Sequence, residues 1–495
     1  MTFQPNDPVQ LTRRTEKRLN NLERRANPNW RIFSLENRGL ENKIINGDFR
    51  INQRAYVSAA ALLPGSYGFD RWRASGYTNK APNPTAGTAS TPWVATTGVA
   101  SRLTGLTIPG LSGVTTAVRN TISSAATGGL YYPGDASATT AGLRIPVIPG
   151  RLYRVSVWLR ASVAKTIQPQ VQLTNAAFGV VASITSSSTV ALVANTWTRV
   201  SWTFTADLAA GVVAQAGPYW YSTTAWAIGN TLDAAGLLFA ETSEDPDYFD
   251  GSFAGASWAG TAHASASYSV AVVPTLTYTT APQGQFLTLN TGSQINQVVD
   301  RTNVPAGTYV VSHEGTAEVR VYNKGSTAPV YAASPVVVVL DGLTDVIVEF
   351  QATGGTATVG RVSMYSGAIA FPFEPRLQQQ ELALCLRYYW RYDNASASVN
   401  IMVGTGSFYA ASNVHVPLQF PVPMRVAPQF TPSSGGVLRC QYQGVASSSS
   451  LISYAAASTT HIRLALTIGG TSTAGYSCFV ELLPVSYLEL NAEYM

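Results

Sequence analysis

Two groups of side chains in this 495-residue sequence are of types that do chemistry. Glu241, Glu244, Asp245, Asp247 and Asp250 make the densest acidic cluster in the chain. Two carboxylates held roughly 5–9 Å apart in a cleft can hydrolyse a glycosidic bond. The same oxygens, with Asp48 added, also suit a structural calcium ion. Asp245-Pro246-Asp247 nevertheless reads first as a solvated turn, since Asp and Pro favour turns, and no regular calcium loop is present. The second group is aromatic. Eight of the ten tryptophans fall between Trp72 and Trp258. Trp158 and Trp197 lie on the polar faces of their segments, and Tyr219-Trp220-Tyr221 follows Pro218 as an aromatic triplet. Flat outward rings stack on sugar C–H surfaces, so Trp158, Trp197, Tyr219, Trp220 and Tyr221 are the candidate carbohydrate contacts. The competing reading packs them under loops or against a neighbouring subunit, because aromatic residues dominate interfaces as readily as ligand sites.

Other chemistry has no visible carrier. His263, His313, His415 and His461 are scattered without zinc-ligand spacing. Cys385, Cys440 and Cys478 show no paired motif and read as reduced, buried apolar residues. There is no phosphate-binding glycine loop and no nucleophile elbow. The expectation is a protein that is not an enzyme and needs no cofactor, with structural calcium as the open alternative.

The elements that would position these residues are short strands. Hydrophobic residues make up 46% of the chain and charged residues only 12%, and Gly, Ser, Thr, Asn and Pro clusters punctuate the segments. Residues 151–162 place Tyr153, Val155, Val157, Leu159 and Ala161 on one face, against Arg154, Ser156, Trp158, Arg160 and Ser162 on the other. Residues 199–205 alternate likewise, with Val200, Trp202 and Phe204 inward. Ala317-Val319-Val321, the doubly apolar run 336–340 and Val346-Val348-Phe350 continue the period of two. The fold class expected is all-β, in tandem sandwiches.

Two helices interrupt the pattern. Residues 7–26 carry a weak heptad seam of Thr12, Thr15, Leu19, Leu22 and Ala26 that needs partners to be stable. Residues 376–392 carry a stripe of Leu382, Cys385, Leu386 and Tyr389. The expected organisation is an N-terminal helix and anchor over 1–40, β domains over 41–272 and 273–375, and a linker helix with a C-terminal β domain over 376–495.

The charge is uneven. The first 54 residues hold 11 of the 32 Lys and Arg against 6 acids, leaving the remainder neutral. A neutral body makes nucleic acid an improbable partner. Arg13, Arg14, Lys17, Arg18, Arg24 and Arg25 suit docking on an acidic protein surface or simple solvation. No apolar run reaches the ~20 residues of a membrane span, and the start lacks the pattern of a signal peptide, so cytoplasmic synthesis without membrane insertion is expected.

Several segments resemble a known family. Arg18-Leu19-Asn20-Asn21-Leu22-Glu23 resembles the trimerisation signature of short parallel coiled coils, with Arg18, Leu19, Leu22 and Glu23 as its carriers. Ile44-Ile45-Asn46-Gly47-Asp48-Phe49-Arg50-Ile51-Asn52-Gln53-Arg54, Phe69-Asp70-Arg71-Trp72, Asn195-Thr196-Trp197-Thr198-Arg199 and the exit at Tyr248-Phe249-Asp250-Gly251 resemble the carbohydrate-binding-module-like jelly roll of tailed-phage fibre and minor tail proteins. Phe371-Pro372-Phe373-Glu374-Pro375-Arg376, the segment 380–389 and the ending Leu488-Glu489-Leu490-Asn491-Ala492-Glu493 are similar to the hinge helix and C-terminal domain of phage fibres. The resemblance implies a homotrimeric virion fibre or spike. Its N-terminal segment would bind other virion proteins and its sandwiches would project toward a host-surface glycan. A head fibre or decoration protein is the alternative. A capsular-polysaccharide depolymerase is a further one, against which stands the absence of a short repeating strand period.

Overall fold

The computed structural model describes residues 41–132, 145–177, 179–206, 213–281, 284–433, 436–470 and 472–493. The helix expected over 7–26, with Arg18, Leu19, Leu22 and Glu23, lies outside them. The described residues are almost entirely β, as the alternation requires. None of their helices is long and apolar enough to cross a membrane.

The first sandwich is jelly-roll-like and occupies residues from about 80 to 256. One sheet orders the strands Thr198–Thr205, Leu152–Ala161, Thr231–Ala240, Ala117–Ile122 and Gly98–Leu103. The facing sheet is built on Val180–Thr185, Lys165–Thr174, Gln215–Ser222, Gly129–Tyr131 and Val94–Ala95. Tyr153, Val155, Val157, Leu159 and Ala161 are all completely buried between the two, as their period predicts. A tight turn launches the central strand: the Arg151 N–H donates to Ile148 O at 3.2 Å, with Pro149 fixing φ and Gly150 taking φ +81°.

The second sandwich departs from the expected boundary. Its own strands run from Leu276–Ala281 to Ala357–Ser366, but its core also takes Ile44, Phe49, Leu62, Phe69, Trp72 and Ala74. Arg73–Ala74 pairs with Gln294–Val299, Arg73 opposite Asn296. Residues 41–79 therefore belong with this unit rather than with a 41–272 domain, and the jelly roll is an insertion into it. The chain leaves along Thr78–Asn79 and returns along Ser267–Tyr268, and these two strands pair directly, Asn79 opposite Ser267. The doubly apolar run Val336–Leu340 is an edge strand, with Val337 and Val339 52% and 75% exposed.

The C-terminal β domain is built on a closed barrel. Six strands, including Ile401–Ala410, Leu438–Tyr442 and Ser477–Leu482, close on themselves beside a three-stranded sheet led by Tyr389–Asn394. The preceding helix covers only Gln378–Leu386, shorter than the expected 376–392, because Tyr389 already pairs with Asn491 as a strand. All three cysteines are buried and free.

The family-like segments converge where these units meet. An added Cβ on Gly47 would lie 2.2 Å from Val362 O, so only glycine lets the two backbones approach and the Val362 N–H donate to Gly47 O at 2.9 Å. Asn46 brackets Ile51 through both its amide atoms, and Trp72 Nε1 donates to Asn46 O at 2.8 Å. Arg376 holds Ile44 O and the Glu381 carboxylate. Arg71, buried, pairs with the equally buried Glu493, donates to Val298 O and lies over the Tyr388 ring. Arg54 stacks on Tyr389 and pairs with Glu493 at 3.4 Å. These motifs build the joint between the units.

Candidate functional site

The five aromatic candidates do not gather in one place. Trp158 and Trp197 point outward from the first sheet, as their parity predicts, but that face carries its own small core of Ile108, Leu111, Val114, Tyr248 and Phe249. The loop around Gly110 lies on Trp158 so closely that a Cβ there would stand 2.4 Å from the ring. Trp197 is covered by the Arg160 guanidinium, 4.7 Å above its centre. Trp220 is 1% exposed and stacks on Trp93 inside the main core. Trp158, Trp197 and Trp220 are therefore packing residues, which corrects the sequence expectation. Strand parity says which way a ring points and nothing about what covers it.

Tyr219 and Tyr221, flanking Trp220 in the strand, point the other way, onto the outer face of the second sheet. Their rings stack 5.1 Å apart at 24°. Tyr131, opposite Tyr219 in register, adds a third ring at 5.4 Å. Gly217 makes room for it, since a Cβ there would meet the Tyr131 ring at about 3.2 Å. The adjacent strand presents Gln168, Gln170 and Gln172, opposite Tyr221, Tyr219 and Gly217 respectively. Tyr131 O–H donates to Gln172, Gln170 Nε2 donates to Thr185 at 3.1 Å, and Gln168 Nε2 donates to Ser186 O at 2.8 Å. Each amide has two donors and two acceptor lone pairs, so capacity remains on all three. Burial pushes the Tyr219 hydroxyl above its ordinary pKa, outweighing its bond to Thr96, and it stays protonated. The outward positions of these strands carry no charged side chain.

The glutamines escaped the sequence reading although Gln168-Pro-Gln-Val-Gln172 alternates with period two. Proline is atypical of a central strand. Here Pro169 falls between the stretches where the neighbouring strands Val180–Thr185 and Val190–Leu192 pair with this one.

The acidic cluster is dispersed into ion pairs. Glu241 meets Lys80 at 3.5 Å and Arg151 at 3.2 Å. Asp245 is forked by Arg199 at 2.6 and 2.7 Å, and Asp250 accepts from Tyr248 O–H at 2.8 Å. Glu244 meets Lys324 at 2.7 Å and accepts from Tyr77 O–H. Burial alone would raise its pKa, but Arg73, Lys324 and Tyr77 hold it below the usual carboxylate range. Asp48 pairs with Arg50 instead of joining the cluster. Among the described residues no three His, Cys, Asp or Glu side chains assemble a metal site.

The chain matches no protein-family model, and no curated protein matches it in sequence. Solved structures overlap parts of it. The CBM22-1–GH10 modules of Clostridium thermocellum endo-1,4-β-D-xylanase 10B, complexed with xylohexaose, align at 12% identity and TM-score 0.26 over 35% of this chain and 30% of that one. The enzymatically active domain of bacteriophage CBA120 tailspike protein 4 aligns at 13% and 0.23 over 32% and 21%. The CBM22-1 xylan-binding domain of Paenibacillus barcinonensis Xyn10C aligns at 9% and 0.24 over 34% and 97%. The chain thus spans under a third of the length of the first two.

Proposed function

We propose that this protein is a non-enzymatic structural component of a tailed-phage virion, a homotrimeric fibre that attaches to host-surface glycan through the outer face carrying Tyr219 and Tyr221. The observation that carries the glycan reading is the stacked tyrosine pair beside three outward glutamines on a sheet face whose outward positions carry no charge. Rings supply C–H stacking, and amides supply paired donors and acceptors for vicinal hydroxyls. The trimer reading draws support from the coiled-coil-like segment at 18–23 and from the uncharged edge strand Val336–Leu340, the kind of edge that association covers. Three sites on one stalk multiply weak single contacts by effective concentration. Made in the host cytoplasm, such a chain ends on the particle, docked through residues 1–40.

The test is a glycan array with the full-length chain. Signal on neutral glycans should fall about tenfold in Tyr219→Ala and Tyr221→Ala, in line with ~1 kcal/mol per aromatic contact, and should be insensitive to salt. An unchanged signal in the double variant removes the site. Sedimentation of the 52.6 kDa chain should return about three times that mass, and a monomer at micromolar concentration removes the trimer.

A further inference from the structure

A cleft of ≈ 350 Å³ opens where the three units meet. Its charged lining is Arg54, Arg73, Lys80 and Arg151 against only Glu241 and Glu489. The carboxylates are already committed. Arg151 holds Glu241 at 3.2 Å and Glu489 at 2.8 Å, Lys80 shares Glu241 at 3.5 Å, and Arg54 pairs with Glu493 at 3.4 Å. Arg73 is left over. It is 7% exposed, its Nε donates to Asn296 Oδ1 at 3.0 Å, and among the described residues no carboxylate stands within ion-pair distance of it. Glu244 and Glu493 act on it through space, but they are engaged directly by Lys324 and Tyr77 and by Arg54 and Arg71.

A buried guanidinium with no carboxylate in direct contact is incompletely compensated. Its planar fork matches a carboxylate in bidentate geometry. The volume lies at the small end of ligand cavities, enough for one sugar ring and too little for a chain. We propose that this cleft is an acidic-sugar subsite, binding a carboxylate-bearing monosaccharide such as a uronic or sialic acid residue, with the carboxylate on Arg73 and the cations of Lys80 and Arg151 beside it. The site is separate from the tyrosine face and stands whether or not that face binds glycan. Because its walls come from three units, occupancy also ties them together.

Calorimetric titration of the full-length protein tests this, with methyl β-D-glucuronide and N-acetylneuraminate as ligands and methyl β-D-glucoside as the neutral control. The acidic sugars should bind, weaken as salt is raised, and lift the thermal transition of the wild-type protein. The neutral sugar should do neither. Arg73→Gln should weaken binding about tenfold or more, as expected for a charge-assisted pair. Lys80→Gln, at the more open side of the cleft, should keep the fold and weaken binding several-fold. Tyr219→Ala with Tyr221→Ala should leave it unchanged, which separates this site from the neutral-glycan face. The assignment is overturned by absence of binding in the wild type, by equal binding of the neutral sugar, or by affinity unchanged in folded Arg73→Gln and Lys80→Gln. Inorganic sulfate or phosphate competing with equal affinity overturns the sugar assignment in favour of a free oxyanion.

Discussion

Asp70 sits at the centre of the joint, fully buried, accepting from the Gln53 N–H at 2.7 Å. Burial drives its pKa upward against the pull of Arg54 and the Gln53 amide, to about 7. Its unfolded value is about 3.9. The native state therefore holds this proton more tightly, so its stabilising contribution is complete below about pH 4 and is lost as pH climbs through 7. Asp70→Asn keeps an acceptor for Gln53 and removes the titration. Chemical denaturation of the variant should show a flatter pH dependence between 4 and 8 and higher stability than wild type at pH 8, by up to about 4 kcal/mol. An unchanged slope would show that Asp70 does not titrate there. At this scale strand parity was legible for the five inward residues from Tyr153 to Ala161, whereas Tyr219-Trp220-Tyr221 was read as one outward triplet and the structure turns Trp220 inward. The cover over Trp158 and the company of Gln170 and Tyr131 depend on loop placement and on pairing across strands, which a local pattern does not contain.

Individual strands and short connections were likewise readable, whereas their partners were not. Nothing near Arg73 announces that it pairs with Asn296, more than two hundred residues later, so the host sandwich was read as beginning at 273. The doubly apolar run Val336–Leu340 lies on an edge: hydrophobicity reports tolerance for burial and not position within a sheet. The pairing of Asn79 with Ser267 makes a definite prediction. Replacing residues 80–266 by Asn-Gly should close a two-residue hairpin between strands that are already neighbours, leaving the host sandwich and barrel folded. A cooperative thermal transition with a β-type circular dichroism spectrum is expected. A molten or insoluble product would mean that the insertion is required for its host to fold.

For the molecule as a whole, the units are locked by side chains that contribute little to any single one. Arg71 comes from the segment that opens the described chain, and Glu493 from its last described stretch. Removing one member of a buried pair strands the other without compensation, at a cost of about 3–5 kcal/mol. Glu493→Gln should therefore lower the unfolding midpoint in urea and expose the segment around Arg387 to limited proteolysis, releasing the barrel as a fragment. If the variant resists protease as wild type does, the joint is held by its apolar contacts, Ile45, Ile51, Val298, Cys385 and Tyr388, and not by the ion pair.

The nesting of one sandwich inside another also sets an order of events at the ribosome. Ile44, Phe49, Phe69 and Trp72 emerge early, yet the strands that receive them appear only after roughly two hundred further residues, a delay of about 10–40 seconds at ordinary elongation rates. During that interval the inserted jelly roll, whose two sheets and main core are drawn from the stretch just made, can finish folding while the apolar segment ahead of it waits uncovered. The part begun first is completed last, and that waiting segment is where a chaperone would be needed.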